Sequence, residues 1–180
     1  MTASEMFAEI SPALATRIIE EVHASDKELY RVALASAAQA KKVRPVFMER
    51  QPRAERYRSM ATALARPDLN LVAGNVISGW LVKNQPALLS DFLTTLKIPH
   101  QNGVVETLPE KVEDKDLQEA VNLLLGKYPP EIVGLYLRAF HDMNDANWPN
   151  LKQLLAEISQ PSLALVRSHS QHQKRKRGRP

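Results

Sequence analysis

Between Leu69 and Val82 the chain carries no charged residue, and this run limits the fold more than any other feature of the sequence. Leu69, Val72, Ala73, Val76, Ile77 and Trp80 recur at the spacing of one helix face. Leu71, Gly74, Ser78 and Leu81 make a second face that is also apolar or small. A helix apolar on two sides must be covered on two sides, so it is expected at the centre of a helical body. It is too short to span a bilayer, which takes about 20 apolar residues. Gly74 and Ser78, one turn apart, predict a groove where another backbone approaches closely. Beyond it, Asn84 is a candidate helix cap and Pro86 suits a first helical turn, where a missing N–H costs nothing. Leu88, Leu89, Phe92, Leu93 and Leu96 then face one way. The short polar link at residues 83–85 predicts two antiparallel helices packed together.

The rest of the chain extends this pattern to an all-α bundle of roughly six to eight helices. Pro12 opens a helix with Leu14, Ala15, Ile18, Ile19 and Val22 on one face, and Ser25 to Glu28 reads as a capping box. The next helix is expected from Leu29 to about Val43, with Leu29, Val32, Ala33, Ala37 and Ala40 inward and Pro45 stopping or kinking it. Tyr57, Met60, Ala61 and Leu64 mark a further helix closed by Pro67. Residues 97–113, broken by Pro99, Gly103 and Pro109, form the longest irregular segment, with a short extended piece at Val104-Val105. A loop of this length in a compact domain is either functional or mobile. Three more helices follow. The first has Leu117, Ala120, Val121, Leu124 and Leu125 inward and ends at Gly126. The second starts at Pro129-Pro130 and buries Ile132, Val133, Tyr136, Leu137 and Phe140. The third carries Trp148, Leu151, Leu154, Leu155 and Ile158. The domain is therefore placed at residues 1–160, and residues 161–180 are expected to be a flexible basic tail. With few aromatics and no sustained alternation of β-branched residues, nothing argues for a sheet.

Charge is unevenly distributed. Of the 24 Lys and Arg, six lie after Glu157, where there is no acid, and the remaining 18 face 20 acids. The body is close to neutral. Within it, residues 41–58, KKVRPVFMERQPRAERYR, gather Lys41, Lys42, Arg44, Arg50, Arg53, Arg56 and Arg58 against Glu49 and Glu55 alone. Two readings are open: a solvated face whose charges pair locally, or an anion-binding surface. The chain has no cysteine, which excludes disulfides, thiol catalysis and thiolate metal sites and fits a reducing compartment. The amino-terminal stretch MTASEMFAEISPAL has acids where a secretion signal needs a basic start and an apolar core. A soluble, cytoplasmic protein is expected, nucleoid-associated or nuclear if its tail binds DNA.

The last residues, Lys174, Arg175, Lys176, Arg177, Gly178, Arg179 and Pro180, end in a segment that resembles the core of an AT-hook, a short peptide of the A·T-rich minor groove. Glycine clears the groove walls, two arginines reach along a narrow negative groove, and proline keeps the chain extended. Lys174 to Lys176 would add phosphate contacts. Lys176 stands where the usual core has proline, and the resemblance covers about seven residues. A sorting signal, attraction to a membrane surface and a solubilising tail are the alternatives.

Other constellations carry less. Asp142, Asn144, Asp145 and Asn147 resemble a calcium loop, but Ala146, Asn147 and Gln153 occupy the positions that need an oxygen ligand, Gly and Glu. A turn that caps the next helix is the expectation. Residues 74–79, GNVISG, follow no strand and are no nucleotide loop. His169 and His172 are close together but lack a third ligand, and no metal or cofactor is expected. No hydrolase or metalloprotease signature occurs.

The expectation is thus a non-enzymatic helical interaction module. Its basic tail, with Lys41, Lys42 and Arg44 as a second contact, engages nucleic acid, DNA in the first place. The alternative is a protein–protein adaptor that docks a partner near residues 97–113, the tail being incidental. An enzyme built on His100, for instance with His141, is the third class.

Overall fold

The computed structural model describes residues 1–143 and 148–158. These residues form ten α-helices and no strand: α1 Ala3–Glu9, α2 Pro12–Ser25, α3 Lys27–Ala40, α4 Pro45–Glu49, α5 Arg53–Leu64, α6 Asn70–Asn84, α7 Pro86–Thr95, α8 Asp114–Lys127, α9 Pro130–Met143 and α10 Pro149–Ile158. A 3-10 turn, Pro67–Leu69, leads into α6. Eight of the ten helices are those expected from periodicity. The other two, α1 and α4, span seven and five residues, too few to repeat a period. α1 is nevertheless signposted, because the Thr2 hydroxyl accepts from the Glu5 N–H while the Glu5 carboxylate accepts from the Thr2 N–H.

The uncharged helix is the hub. α6 packs against α1, α2, α3, α5, α7 and α9, burying Ala73, Gly74, Val76, Ile77, Trp80 and Leu81. Trp80 is fully buried, and its indole Nε1 donates to Glu21 Oε2 at 2.7 Å. Glu21 in turn accepts from Arg17 Nε at 2.7 Å on the same face of α2. An apolar ring is thereby sequestered while its one polar atom is satisfied at the rim. The second face of α6 is only partly covered. Leu71 is 77% exposed and Ser78 and Val82 are also exposed, so the backbone groove expected at Gly74 and Ser78 does not form. A Cβ at Gly74 would make ordinary contacts with Met143 Cε and Ala3 Cβ, which places side chains, not backbone, against it.

The expected hairpin is also modified. Only Gln85 separates α6 from α7, and it rather than Asn84 occupies the cap position, while Asn84 Oδ1 accepts from Ser25 Oγ. One residue is shorter than the two to five that let helices lie side by side. α7 accordingly packs more extensively on α8 than on α6, with Leu88, Leu89, Phe92 and Leu93 buried. Asp91 clamps that contact, accepting from Lys127 Nζ and Tyr128 Oη at 2.6 Å each. Burial alone would raise the Asp91 pKa, but those two donors outweigh it and hold it below the usual carboxylate value.

Several further details differ from the expectation. α3 is capped by Asp26, whose Oδ1 accepts from the Leu29 N–H at 3.0 Å, while Ser25 closes α2. α3 buries Tyr30, Ala33, Leu34, Ala37 and Ala38 and leaves Val32 in solvent, a rotation of its inner face toward the larger side chains. Gly126 lies inside α8, which runs on to Lys127, and Leu125 is exposed. Trp148 precedes α10 rather than belonging to it, and its Nε1 donates to the Pro109 carbonyl at 2.8 Å.

That bond helps pin residues 97–113 to the body. Asn150 Nδ2 donates to the Val112 carbonyl, Ile98 is buried, and Gln101 and Val104 exchange two backbone hydrogen bonds around Asn102 and Gly103. Both central residues have positive φ, 52° and 84°, the two-residue hairpin turn that Asn-Gly favours. His100 braces this turn. Its Nδ1 accepts from the Gly103 N–H at 3.2 Å and its Nε2 lies 2.9 Å from Thr94 Oγ1.

Candidate nucleic-acid interface

The cationic segment is an exposed corner between α3 and α5, built by backbone rules rather than by ion pairs. α3 ends in a Schellman arrangement: the Lys42 N–H reaches the Gln39 carbonyl and the Val43 N–H the Ala38 carbonyl. Lys42 therefore takes the left-handed conformation, φ 57°, that glycine usually supplies. Lys97 does the same after α7, so in both places a cation lies beside a negative helix end. Arg44 is extended because it precedes Pro45, and Pro45 takes the first position of α4. Pro52 then caps α5.

A helix of five residues between two prolines can direct only one side chain inward. Met48 is that residue, buried against the body, while Val46 and Phe47 point outward. Phe47 is 56% exposed, with Val43 and Val46 exposed beside it. Periodicity assigns no side to Phe47; the seven-residue spacing of Pro45 and Pro52 is the sequence signal, since it leaves room for one inward position only.

Beneath the corner lies an aromatic cluster drawn from three helices. His23 of α2 stacks on Tyr30 of α3 at 3.8 Å between centroids, and its Nδ1 lies 2.7 Å from Tyr57 Oη of α5. The Arg56 guanidinium sits 5.7 Å from the Tyr57 ring centroid while its Nη1 donates to the Glu49 carbonyl, tying α5 back to α4. Burial lowers the His23 pKa, and the neighbouring Arg56, Arg53 and Lys27 charges lower it further. The imidazole is thus held neutral in a positive field.

Ion pairing in this segment differs from that of the arginines elsewhere. Outside it, the described arginines Arg17, Arg31, Arg66 and Arg138 each meet a carboxylate: Glu21, Glu28, Asp68 and Glu9. Inside it, none of Lys41, Lys42, Arg44, Arg50, Arg53, Arg56 and Arg58 has a carboxylate within ion-pair distance among the described residues. Glu49 and Glu55 remain unpaired there as well. No ion pair forms within the segment, and Lys41, Lys42, Arg44, Arg50, Arg53 and Arg58 are all exposed.

Of the expected contact residues, Lys41, Lys42 and Arg44 thus stand together on this corner. Lys174, Arg175, Lys176, Arg177, Gly178, Arg179 and Pro180 lie outside the described residues, as do Asn144, Asp145, His169 and His172. No group of three His, Asp or Glu able to hold a metal occurs among the described residues. No described helix is long and apolar enough to cross a membrane. No protein-family model matches this chain, nor does any curated protein or solved structure.

Proposed function

We propose that this protein is a helical module that engages nucleic acid through the cationic corner at residues 41–58, assisted by the basic residues 174–180. The observation that carries the reading is that, of the seven cations there, all five arginines lack a carboxylate partner in a body whose other described arginines are all paired. Unpaired lysines such as Lys27, Lys97 and Lys115 also occur elsewhere. Exposed, unpaired cations release counterions when they meet phosphates, and that release drives sequence-independent binding. Five of the seven are arginines, whose planar forks suit phosphate oxygens. The backbone of the corner rests on the packed rings of His23, Tyr30 and Tyr57.

Fluorescence anisotropy with labelled oligonucleotides tests this. The full chain is expected to bind with a dissociation constant on the order of micromolar or weaker at physiological salt. Replacing Arg44, Arg50 and Arg53 by Ala together should weaken binding, and ending the chain at residue 160 should weaken it separately. Affinity unchanged by the triple substitution would remove the corner from the account.

A second reading rests on a different observation. An apolar groove of about 220 Å³ is lined by Ser78, Val82, Leu89, Val104, Tyr136 and Phe140, beside the turn of residues 101–104. Its size is below the roughly 300 Å³ of small-molecule sites, so an adaptor that takes a side chain of a protein partner is the form this reading takes.

A further inference from the structure

We infer that the corner at residues 41–58 is built for single-stranded nucleic acid, with Phe47 as the platform on which one base stacks. This rests on the proposed nucleic-acid contact and narrows its ligand. Phosphate contacts need only exposed cations; they give no reason to keep an aromatic ring in water. Phe47 is more than half exposed, on a helix whose only buried side chain is Met48. Its neighbours in sequence are Lys41, Lys42 and Arg44 on one side and Arg50 and Arg53 on the other, all exposed. Cations that follow a backbone, interleaved with an aromatic side chain, are the combination by which single strands are held without sequence preference. In a duplex the base faces are already stacked on one another, so Phe47 would have nothing to receive.

The same mixture of apolar and cationic side chains suits an anionic membrane surface, and the structure favours the strand for two reasons. Interfacial helices bury a long apolar face, whereas α4 has five residues and presents only Val46 and Phe47, with Val43 just before it. The cations here are mainly arginines, whose forks hold individual phosphate oxygens, where a diffuse surface potential is served equally by lysine.

The test uses the full chain, its Phe47→Leu and Phe47→Trp variants and the Arg44, Arg50, Arg53 triple-Ala variant. Leucine keeps the apolar area but offers no ring face. The probes are a labelled dT oligonucleotide, a G·C duplex of equal length (which offers the basic tail no A·T groove) and vesicles containing phosphatidylserine. The inference predicts tighter binding to the single strand than to the duplex. It also predicts a loss on the order of tenfold for Phe47→Leu on the single strand only, with thermal stability and salt dependence unchanged. Phe47→Trp should retain affinity and show quenched emission on binding. If Phe47→Leu binds the dT strand as the parent does while the triple variant is weakened, stacking is wrong and the nucleic-acid reading stands. If no chain binds either oligonucleotide, both fall. Vesicle binding that exceeds oligonucleotide binding and survives Phe47→Leu would overturn the inference in favour of a membrane surface.

Discussion

Truncating Trp80 is the most demanding test of the fold. The ring is fully buried on α6, the helix that touches six others, and its indole N–H donates to Glu21. Trp80→Ala removes one of the two fully buried tryptophans and leaves a cavity that packed helices on several sides cannot readily close. A loss of about 3–5 kcal/mol follows, roughly a fifth or more of the total stability of an ordinary domain. For a chain of this length that lowers Tm by roughly 6–20 °C. Trp80→Phe separates the two contributions, because it keeps most of the packing and deletes the donor. A hydrogen bond to a charged group is worth about 1.5–3 kcal/mol, and the low end applies here, since Glu21 keeps Arg17 and is partly solvated. Urea denaturation of the parent, both variants, Glu21→Ala and the Trp80→Phe/Glu21→Ala pair gives the coupling as a double-mutant cycle. A Trp80→Ala loss below about 1 kcal/mol would contradict the burial on which the reasoning depends. Additive single variants would mean that the bond to Glu21 contributes nothing.

Three further outcomes follow from local geometry. Gly103→Ala puts a Cβ 2.4 Å from Leu89 Cβ at a φ of 84°, so chemical denaturation should register a loss of at least about 1–3 kcal/mol. Gly74→Ala meets only ordinary contacts and should be neutral or stabilising by up to about 1 kcal/mol in the same assay. His23 binds a proton less readily when folded than when unfolded, so its contribution to stability is complete above about pH 6.5 and is lost as pH falls below it. Tm measured from pH 7.5 to 5 should fall, and the fall should be shallower in His23→Gln. The carboxylates with lowered pKa, Glu5, Asp26, Asp68 and Asp91, act below their ordinary values of 4.5 for Glu and 3.8 for Asp and do not share that window.

Much of this architecture is legible in the sequence where one helix face is large and the other polar. The stripes of α5, α7 and α9 are buried residue for residue, because Tyr57, Phe92 and Phe140 leave no competing face. In α3 the alanines are nearly neutral, so Val32 and Leu34 compete for the inside, and the requirement that Tyr30 meet His23 decides against Val32. α1 depends on contacts remote in sequence, such as the Ser4 N–H donating to Asn70 Oδ1, which no short window contains. The turn at residues 101–104 is announced by Asn102-Gly103, but without alternating flanks that signal is easily passed over. For the proposed interface, the number of cations is legible and their lack of partners is not. Pairing depends on which carboxylates the fold brings near: Asp26 goes to Lys83 and Glu9 to Arg138, both far along the chain.

The functional account turns on whether those unpaired cations meet phosphates, and the salt dependence of binding to a dT oligonucleotide measures this directly. Each phosphate neutralised contributes about −0.7 to the slope of log affinity against log salt for a single strand. Replacing Arg44, Arg50 and Arg53 by Ala in the full chain should therefore make the slope shallower by up to about 2, with Tm unchanged. A parent and variant with the same slope would mean that these arginines face solvent when the protein is bound, and the proposed interface would be elsewhere or absent.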